Sequence, residues 1–305
     1  MASQREVIRK ADIAVSDLVS NGGYLNPMQA NKFIEYVHSA PTIVRAMRYV
    51  PMNAPKMEIN KMGFGSRILK PAPGSGETLA AADRSKVTTE KLTLTTVRTM
   101  AEVNIPYDVL EDNIERGRME DTIMRQIGLQ VAEDIEELAI QGDTTSSDTY
   151  LALFNGLLKL ITTNTTSLAA YTMVEKEIFK TLIKSIDPKY LRNPAAFRFY
   201  ISHKNETDYR DTLADRIGGR ADSLVEGIDA VRSYGIPVIP CAMMPETHIV
   251  LTHPLNLIYG IQRDIMIETD KDIRAQSYII VVSMRLAMQI EIEEATAMGT
   301  ALAVN

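Results

Sequence analysis

"MEINKMGFGSRILKPAPGSGETLAAADRSKVTTEKLTLTTV", residues Met57–Val97, is the stretch on which the reading of the fold turns. On its ascending side Met57, Ile59 and Lys61 alternate with Glu58, Asn60 and Met62, the two-residue period of a strand. The descending side, "KVTTEKLTLTTVRTMAEVNIPYDV", is dense in the Thr and Val that suit a pleated surface. Its apolar phase shifts between Leu92/Leu94 and Val97/Ala101/Val103, which predicts a bulge or a change of environment near Thr96. Between the two sides, "KPAPGSGETLAAADRSK" (Lys70–Lys86) is rich in turn formers and has little to bury. Fourteen extended residues reach about 45 Å, roughly the width of a domain. An isolated two-stranded hairpin is marginal in water, so a ribbon this long implies a neighbour to lie on.

Upstream, residues 2–20 carry Val7, Ile8, Ala11, Val15 and Leu18 at helical spacing. "NGGYLNP" breaks that helix, and a helical period resumes through Phe33, Ile34, Val37, Ile43 and Met47. The first fifty residues therefore read as an arm with helical pieces. Downstream, Met119, Ile123, Ile127, Val131, Ile135, Leu138 and Ala139 predict one long helix over Met119–Gln141, stopped by Gly142–Asp143. Twenty-three residues span about 34 Å, a beam for a sheet. The pattern then turns mixed: helix over Met173–Ile186, strand over Phe197–Ser202, helix over Glu206–Ile217, strands over Pro237–Cys241 and His248–Thr252. "AQSYIIVVSMRLAMQIEIEEATAMG" closes the chain as one long half-exposed strand, with Met284, Leu286, Met288, Ile290 and Ile292 on its apolar side.

The composition excludes several classes. The 305 residues are 45% hydrophobic and 24% charged, a globular balance. No apolar run approaches the ~20 residues of a membrane span; "YIIVVSM" is ended by Arg285. The N-terminus has no apolar signal core, which predicts a cytoplasmic protein. Cys241 is the only cysteine and reads as a small buried hydrophobe. A net charge of -6 argues against a dedicated nucleic-acid binder.

Catalytic patterns are missing as well. "GFGSRI" lacks the third glycine of a dinucleotide loop, and neither a P-loop nor a G-x-S-x-G elbow occurs. His248 and His253, five apart on an expected strand, point to opposite faces and make poor joint ligands. The acids of "EDIEE" (Glu133–Glu137) read as a solvated or interfacial helix face. No catalytic, cofactor or metal site is expected.

An N-terminal arm, a long hairpin, a spine helix ending in "EELAIQGDTTSSD", a following "NGLL", a mixed α/β block and a closing strand together resemble the major capsid protein of tailed bacteriophages. The likeness covers nearly the whole chain. Its most specific parts are "GGYLNPMQANKFIEYV", "INKMGFGSRIL", the spine helix with its stop, and "GIPVIPCAMMPE" followed by "LTHPLNLIYGI". The resemblance implies an α+β, Hong Kong 97-type fold. It divides the chain into an N-terminal arm (1–50), an extended loop with flanking strands (51–100), a peripheral domain with its spine helix (101–164), an axial domain (165–255) and a return to the peripheral domain (256–305).

The same resemblance implies a structural subunit, not an enzyme, that assembles into pentamers and hexamers of an icosahedral head. Its extended loop would cross the adjacent subunit, with Arg67, Lys70, Arg84 and Lys86 as contact candidates. "DRIGGRADSLVEG" (Asp215–Gly227) would pack around the symmetry axes, with Arg216, Gly218, Gly219 and Arg220 as candidates. Implied partners are identical copies, a portal, a separate scaffolding or decoration protein, and packaged double-stranded DNA held without sequence preference; no membrane is implied. The chain would reside in the virion capsid after assembly in the host cytoplasm.

Two family features have no counterpart here. Lys61, Lys70 and Lys86 could offer an amine for an isopeptide crosslink, but no asparagine lies between Asn256 and Asn305 to receive it. The N-terminal fifty residues are too few for a built-in scaffold. Three other readings remain open at this point: an encapsulin-type bacterial compartment of the same fold, another phage structural protein such as a tail or decoration component, and a soluble enzyme with an unread site.

Overall fold

The structure, a computed structural model, describes residues 42–63, 68–71, 74, 78–80, 82, 84, 87–111, 119–214 and 231–303. The helical readings for residues 2–20 and 27–41, and the Asp215–Gly227 loop, lie outside these residues.

From Thr42 a single-turn helix α1 (Ile43–Ala46) leads into β1 (Arg48–Pro51), β2 (Lys56–Gly63), β3 (Thr88–Thr95) and β4 (Val97–Pro106). Helix α2 (Tyr107–Glu111), the spine α3 (Met119–Gln141) and the short α4 (Leu157–Leu160) follow, then β5 (Thr165–Ser167), α5 (Lys176–Ser185), β6 (Arg198–Ile201) and α6 (His203–Ala214). The last third runs β7 (Arg232–Ser233), β8 (Ile236–Pro240), β9 (Ile249–Thr252), β10 (Leu257–Asp272), β11 (Ser277–Ile290) and β12 (Ala297–Thr300).

The spine helix covers one face of a four-stranded sheet ordered β1-β10-β11-β4. Val131, Ile135 and Leu138 of its apolar stripe meet Val282, Met284, Leu286 and Met288, which alternate along β11. Burying each such side chain contributes about 1.5–3 kcal/mol, which outweighs the weak intrinsic preference of a helix that carries several acids in its last turns. β11 was expected to be half exposed. It is instead a central strand, and none of its residues is exposed. β10 and β4 flank it on both edges, and the odd-numbered face is partly roofed near Ala287. The helical period read through Met47 also gives way early. Helix α1 ends at Ala46, and Arg48–Pro51 pairs in parallel with Ile258–Ile261.

A second sheet of six strands, ordered β5-β12-β9-β6-β8-β7, carries helices α5 and α6 on one face. Pairing places Leu251, Phe199 and Val238 in one row on that face. Phe179 of α5 stands edge-on to Phe199 at 4.7 Å and 4.6 Å from the Tyr209 ring of α6. The opposite row, Val250 and Tyr200, belongs to the core beneath the spine helix, so the two sheets share one packed interior. Helix α6 begins three residues before the expected Glu206, because the Ser202 hydroxyl accepts from the Asn205 amide and caps it. Residues 256–305, read as one returning unit, split between the sheets: β10 and β11 join the first, and β12 joins the second.

The spine helix ends at Gln141, as its stripe predicts, but Gly142 is not there for a left-handed turn. A Cβ on Gly142 would lie 2.4 Å from the Phe154 carbonyl, and one on Gly156 would lie 2.7 Å from the Gly142 amide. The two glycines let backbones touch, and the Gly156 amide donates to the Gly142 carbonyl at 2.8 Å.

Candidate assembly surfaces

The ribbon forms as its alternation predicts. β2 and β3 pair without a break from Lys56↔Thr95 to Gly63↔Thr88. Thr96 is the point where the apolar phase changes. It separates β3, which pairs only with β2, from β4, which pairs with β11. Its amide donates to the Pro55 carbonyl at 2.8 Å, and its hydroxyl sits 3.1 Å from both that carbonyl and Gln262 Oε1. These bonds fasten the ribbon's root.

Burial falls along the ribbon from root to tip. Leu94 and Met52 are buried against Ile258 and Ala287 of the four-stranded sheet, with Met57, Ile59 and Leu92 half-buried beside them. Further out, Met62 is 78% exposed and Val87 56%. A cleft of about 640 Å³ separates this outer part from Leu160, Tyr190 and the Glu291–Glu294 segment of the same chain. Within the tip, Leu69 is 85% exposed, and Arg84 donates to the Leu79 carbonyl at 3.2 Å. Lys70 and Arg84 are both exposed, while Arg67, Lys86, Arg216, Gly218, Gly219 and Arg220 lie outside the described residues.

The ribbon's root roofs only the near half of the sheet face turned away from the spine helix. On the far half, strand register builds three rows: Met266–Ser283–Met100, Glu268–Val281–Glu102 and Asp270–Ile279–Asn104. Directly paired residues share a face, so Ile279 and Val281 form a half-buried apolar line there. Exposed Met100 and Met266 lie at one end, where the paired Arg98 and Arg285 follow on the same face, and Glu102, Glu268 and Asp270 rim the other end. Sequence reading missed this surface. Each strand shows only one residue of every row, and the rows exist only once three strands are in register.

Polar clamps hold the frame that presents these surfaces. Glu136 Oε1 accepts from the Thr42 amide (2.6 Å), the Thr42 hydroxyl (3.0 Å) and the Ile43 amide (2.7 Å), capping α1 from the spine helix. The expectation that all the Glu133–Glu137 acids are solvated or interfacial is therefore corrected at Glu136, which is buried at 3% exposure. Cys241 is fully buried as expected, and burial pushes its thiol up to about 12. At Glu293, burial opposes ionisation, but the amides and hydroxyls of Thr162 and Thr163 outweigh it and hold the carboxyl below its ordinary range. Asn256 bonds both the amide and the carbonyl of Ile292 at 2.8 Å, steering the chain from one sheet to the other.

His248 precedes its strand and His253 follows it. Burial lowers the pKa of His248, and His253 Nδ1 accepts from the Leu255 amide. Among the described residues no three His, Cys, Asp or Glu side chains converge as a metal site, and no helix is long and apolar enough to cross a membrane.

Known proteins resemble the chain closely in sequence and in fold. It is 41% identical over 305 residues to "Putative prophage capsid protein YqbE" of Bacillus subtilis (strain 168), covering 96% of this chain and 97% of that one. No protein-family model matches it. Its fold superposes on the capsid of a native GTA particle with a TM-score of 0.68 at 14% identity, covering 94% and 99% of the two chains. The satellite phage P4 procapsid gives 0.61 at 13%, covering 100% and 99%. The mature capsid of bacteriophage PhiM1 gives 0.63 at 13%, covering 91% of each.

Proposed function

Because the chain belongs to the capsid proteins of tailed phages and prophages, built on the Hong Kong 97-type fold, we propose that it assembles into pentamers and hexamers closing an icosahedral head around double-stranded DNA. The observation that carries this reading is the half-roofed sheet. Each copy extends a ribbon whose outer part leaves its own body, and the described residues of each copy leave half of an apolar sheet face, with acids at one end, uncovered. The ribbon tip carries Arg67, Lys70, Arg84 and Lys86 against Glu77 and Asp83, a net charge opposite to that of Glu102, Glu268 and Asp270. The tip's cations match the acidic end of the next copy's face, away from Arg98 and Arg285. Such a heterologous contact closes into rings when the rotation permits.

In this reading residues 51–100 are the extended loop with its flanking strands, and 165–255 form the axial domain, with Arg216, Gly218, Gly219 and Arg220 near the symmetry axes. The arm read over residues 1–50 gives way at Ile43, from which the chain is built into the body, and residues 101–164 with most of 256–305 form the peripheral domain. A portal, a separate scaffolding or decoration protein and non-specifically held DNA complete the list of partners. Assembly takes place in the host cytoplasm and the product is the virion shell. A prophage capsid protein as a 41% identical relative favours this over a bacterial compartment that encloses a cargo enzyme. Electron microscopy of the purified full-length protein tests the proposal. Closed shells of uniform diameter are expected, and a soluble monomer with no larger assembly under any salt condition would overturn it.

A further inference from the structure

A second surface, away from the ribbon, has the character of a docking notch. It opens to about 530 Å³ beside Thr42, between α1, the Ala196–Arg198 segment and the turn at His253–Leu255. Arg45 and Arg198 are both exposed on its walls, and among the described residues neither is paired with a carboxylate. His253 is held rigidly, its Nδ1 accepting from the Leu255 amide at 3.2 Å and its ring edge-on to Phe197 at 5.7 Å. Leu255 stands on the lip, 56% exposed. Two planar guanidinium forks beside an apolar lip suit a carboxylate-bearing protein segment that also brings a hydrophobic side chain.

The chain itself carries such a segment. The Tyr150 hydroxyl donates to the Asp134 carbonyl at 2.6 Å and its amide to Asp148 Oδ1 at 2.9 Å, which brings Asp148 up to Asp134 and Glu137 of the spine helix; among the described residues none of the three carboxylates has an ion-pair partner. Burial first, and then repulsion from Asp134, Asp148 and Glu133, raise the Glu137 pKa. Leu129, 42% exposed, lies about a quarter of the way round the helix from Glu137. The acids repel one another in a single copy, and a cation supplied from outside would relieve them. A nucleic-acid phosphate in the notch would leave both Leu255 and the acidic cluster unanswered.

We propose that the Arg45/Arg198 notch of one copy receives the Asp134/Glu137 side of the spine helix of another, as a contact between shell subunits separate from the ribbon. This rests on the shell reading above. The test compares wild type, Arg45→Glu/Arg198→Glu, and that variant with Asp134→Lys/Glu137→Lys added, each as the full chain. Shell yield is read by sedimentation and electron microscopy, and folding by the thermal midpoint. The reversed arginines should cut shell yield at least tenfold without moving the midpoint, and the added lysines should restore most of it. Normal yield from the arginine variant, or loss without restoration, would overturn the contact. Normal shells that retain less DNA would assign the notch to the genome and overturn it equally. Absence of shells from wild type would instead remove the shell reading itself.

Discussion

Glu136 looks like one more acid in an acidic helix end, yet it is the residue that ties the spine helix to the start of the described chain. Its carboxylate satisfies two amides and a hydroxyl in a buried place, and charge-assisted bonds of this kind are worth about 1.5–3 kcal/mol each. Glu136→Ala strands those donors and should destabilise the subunit by about 2–4 kcal/mol, measured by calorimetry; Glu136→Gln, which keeps an acceptor oxygen, should cost less. An alanine penalty under about 1 kcal/mol would remove the clamp from the account. Asp143 makes a pH-dependent prediction. Hydrogen bonds from the Thr145 hydroxyl and amide, then Lys159, lower its pKa to about 2. A carboxylate depressed in the folded state contributes stability above its unfolded pKa, and that contribution is lost as pH falls through its folded one. The tie between this loop and Lys159 should therefore weaken between about pH 4 and pH 2. In Asp143→Asn, acid unfolding should become shallower within that window, with the part due to Glu293 remaining. The sequence shows that Glu136 and Asp143 are acids, but their partners Thr42 and Lys159 lie 94 and 16 residues away, beyond the reach of local pattern.

At the scale of elements, legibility follows periodicity. The spine helix was readable to its last residue because its stripe is regular and Gly142 ends it, although the reason for that glycine is backbone contact with Gly156. The ribbon and its break at Thr96 were readable because a strand changing partners changes its apolar phase. The β1 strand was not, since its alternation is only four residues long and follows directly on a helical period. The acid-rimmed sheet face was hidden for the related reason that it spans three strands. It supports a prediction of its own. Exposed ion pairs are worth about 0.2–1 kcal/mol each, so Glu102→Lys with Glu268→Lys should weaken each contact by about 2- to 30-fold. Shell assembly titrated against protein concentration reads this as a higher threshold. Raising salt toward 1 M, where screening shortens to about 3 Å, should raise the threshold of wild type and shrink the difference between the two. An unchanged threshold in the variant would mean the tip lands elsewhere.

For the whole molecule, two joined sheets make a rigid body, and the ribbon is the part that body cannot cover. Its root belongs to its own copy through Leu94 and Met52, and its outer part, with Met62 and Val87 in water, does not. An arm that reaches across a neighbour adds contact without a large flat patch, and repeated around a closed ring it makes many weak contacts act together. The measurement that bears most directly on this is a cryo-electron microscopy map of the assembled shell in which Lys56–Thr95 can be traced. The account predicts that density for Met62 and the tip lies over Met100, Val281 and Ile279 of the adjacent copy. Density showing the same ribbon closed down on Tyr190 and Glu291–Glu294 of its own chain, with that sheet face open to solvent, would contradict it.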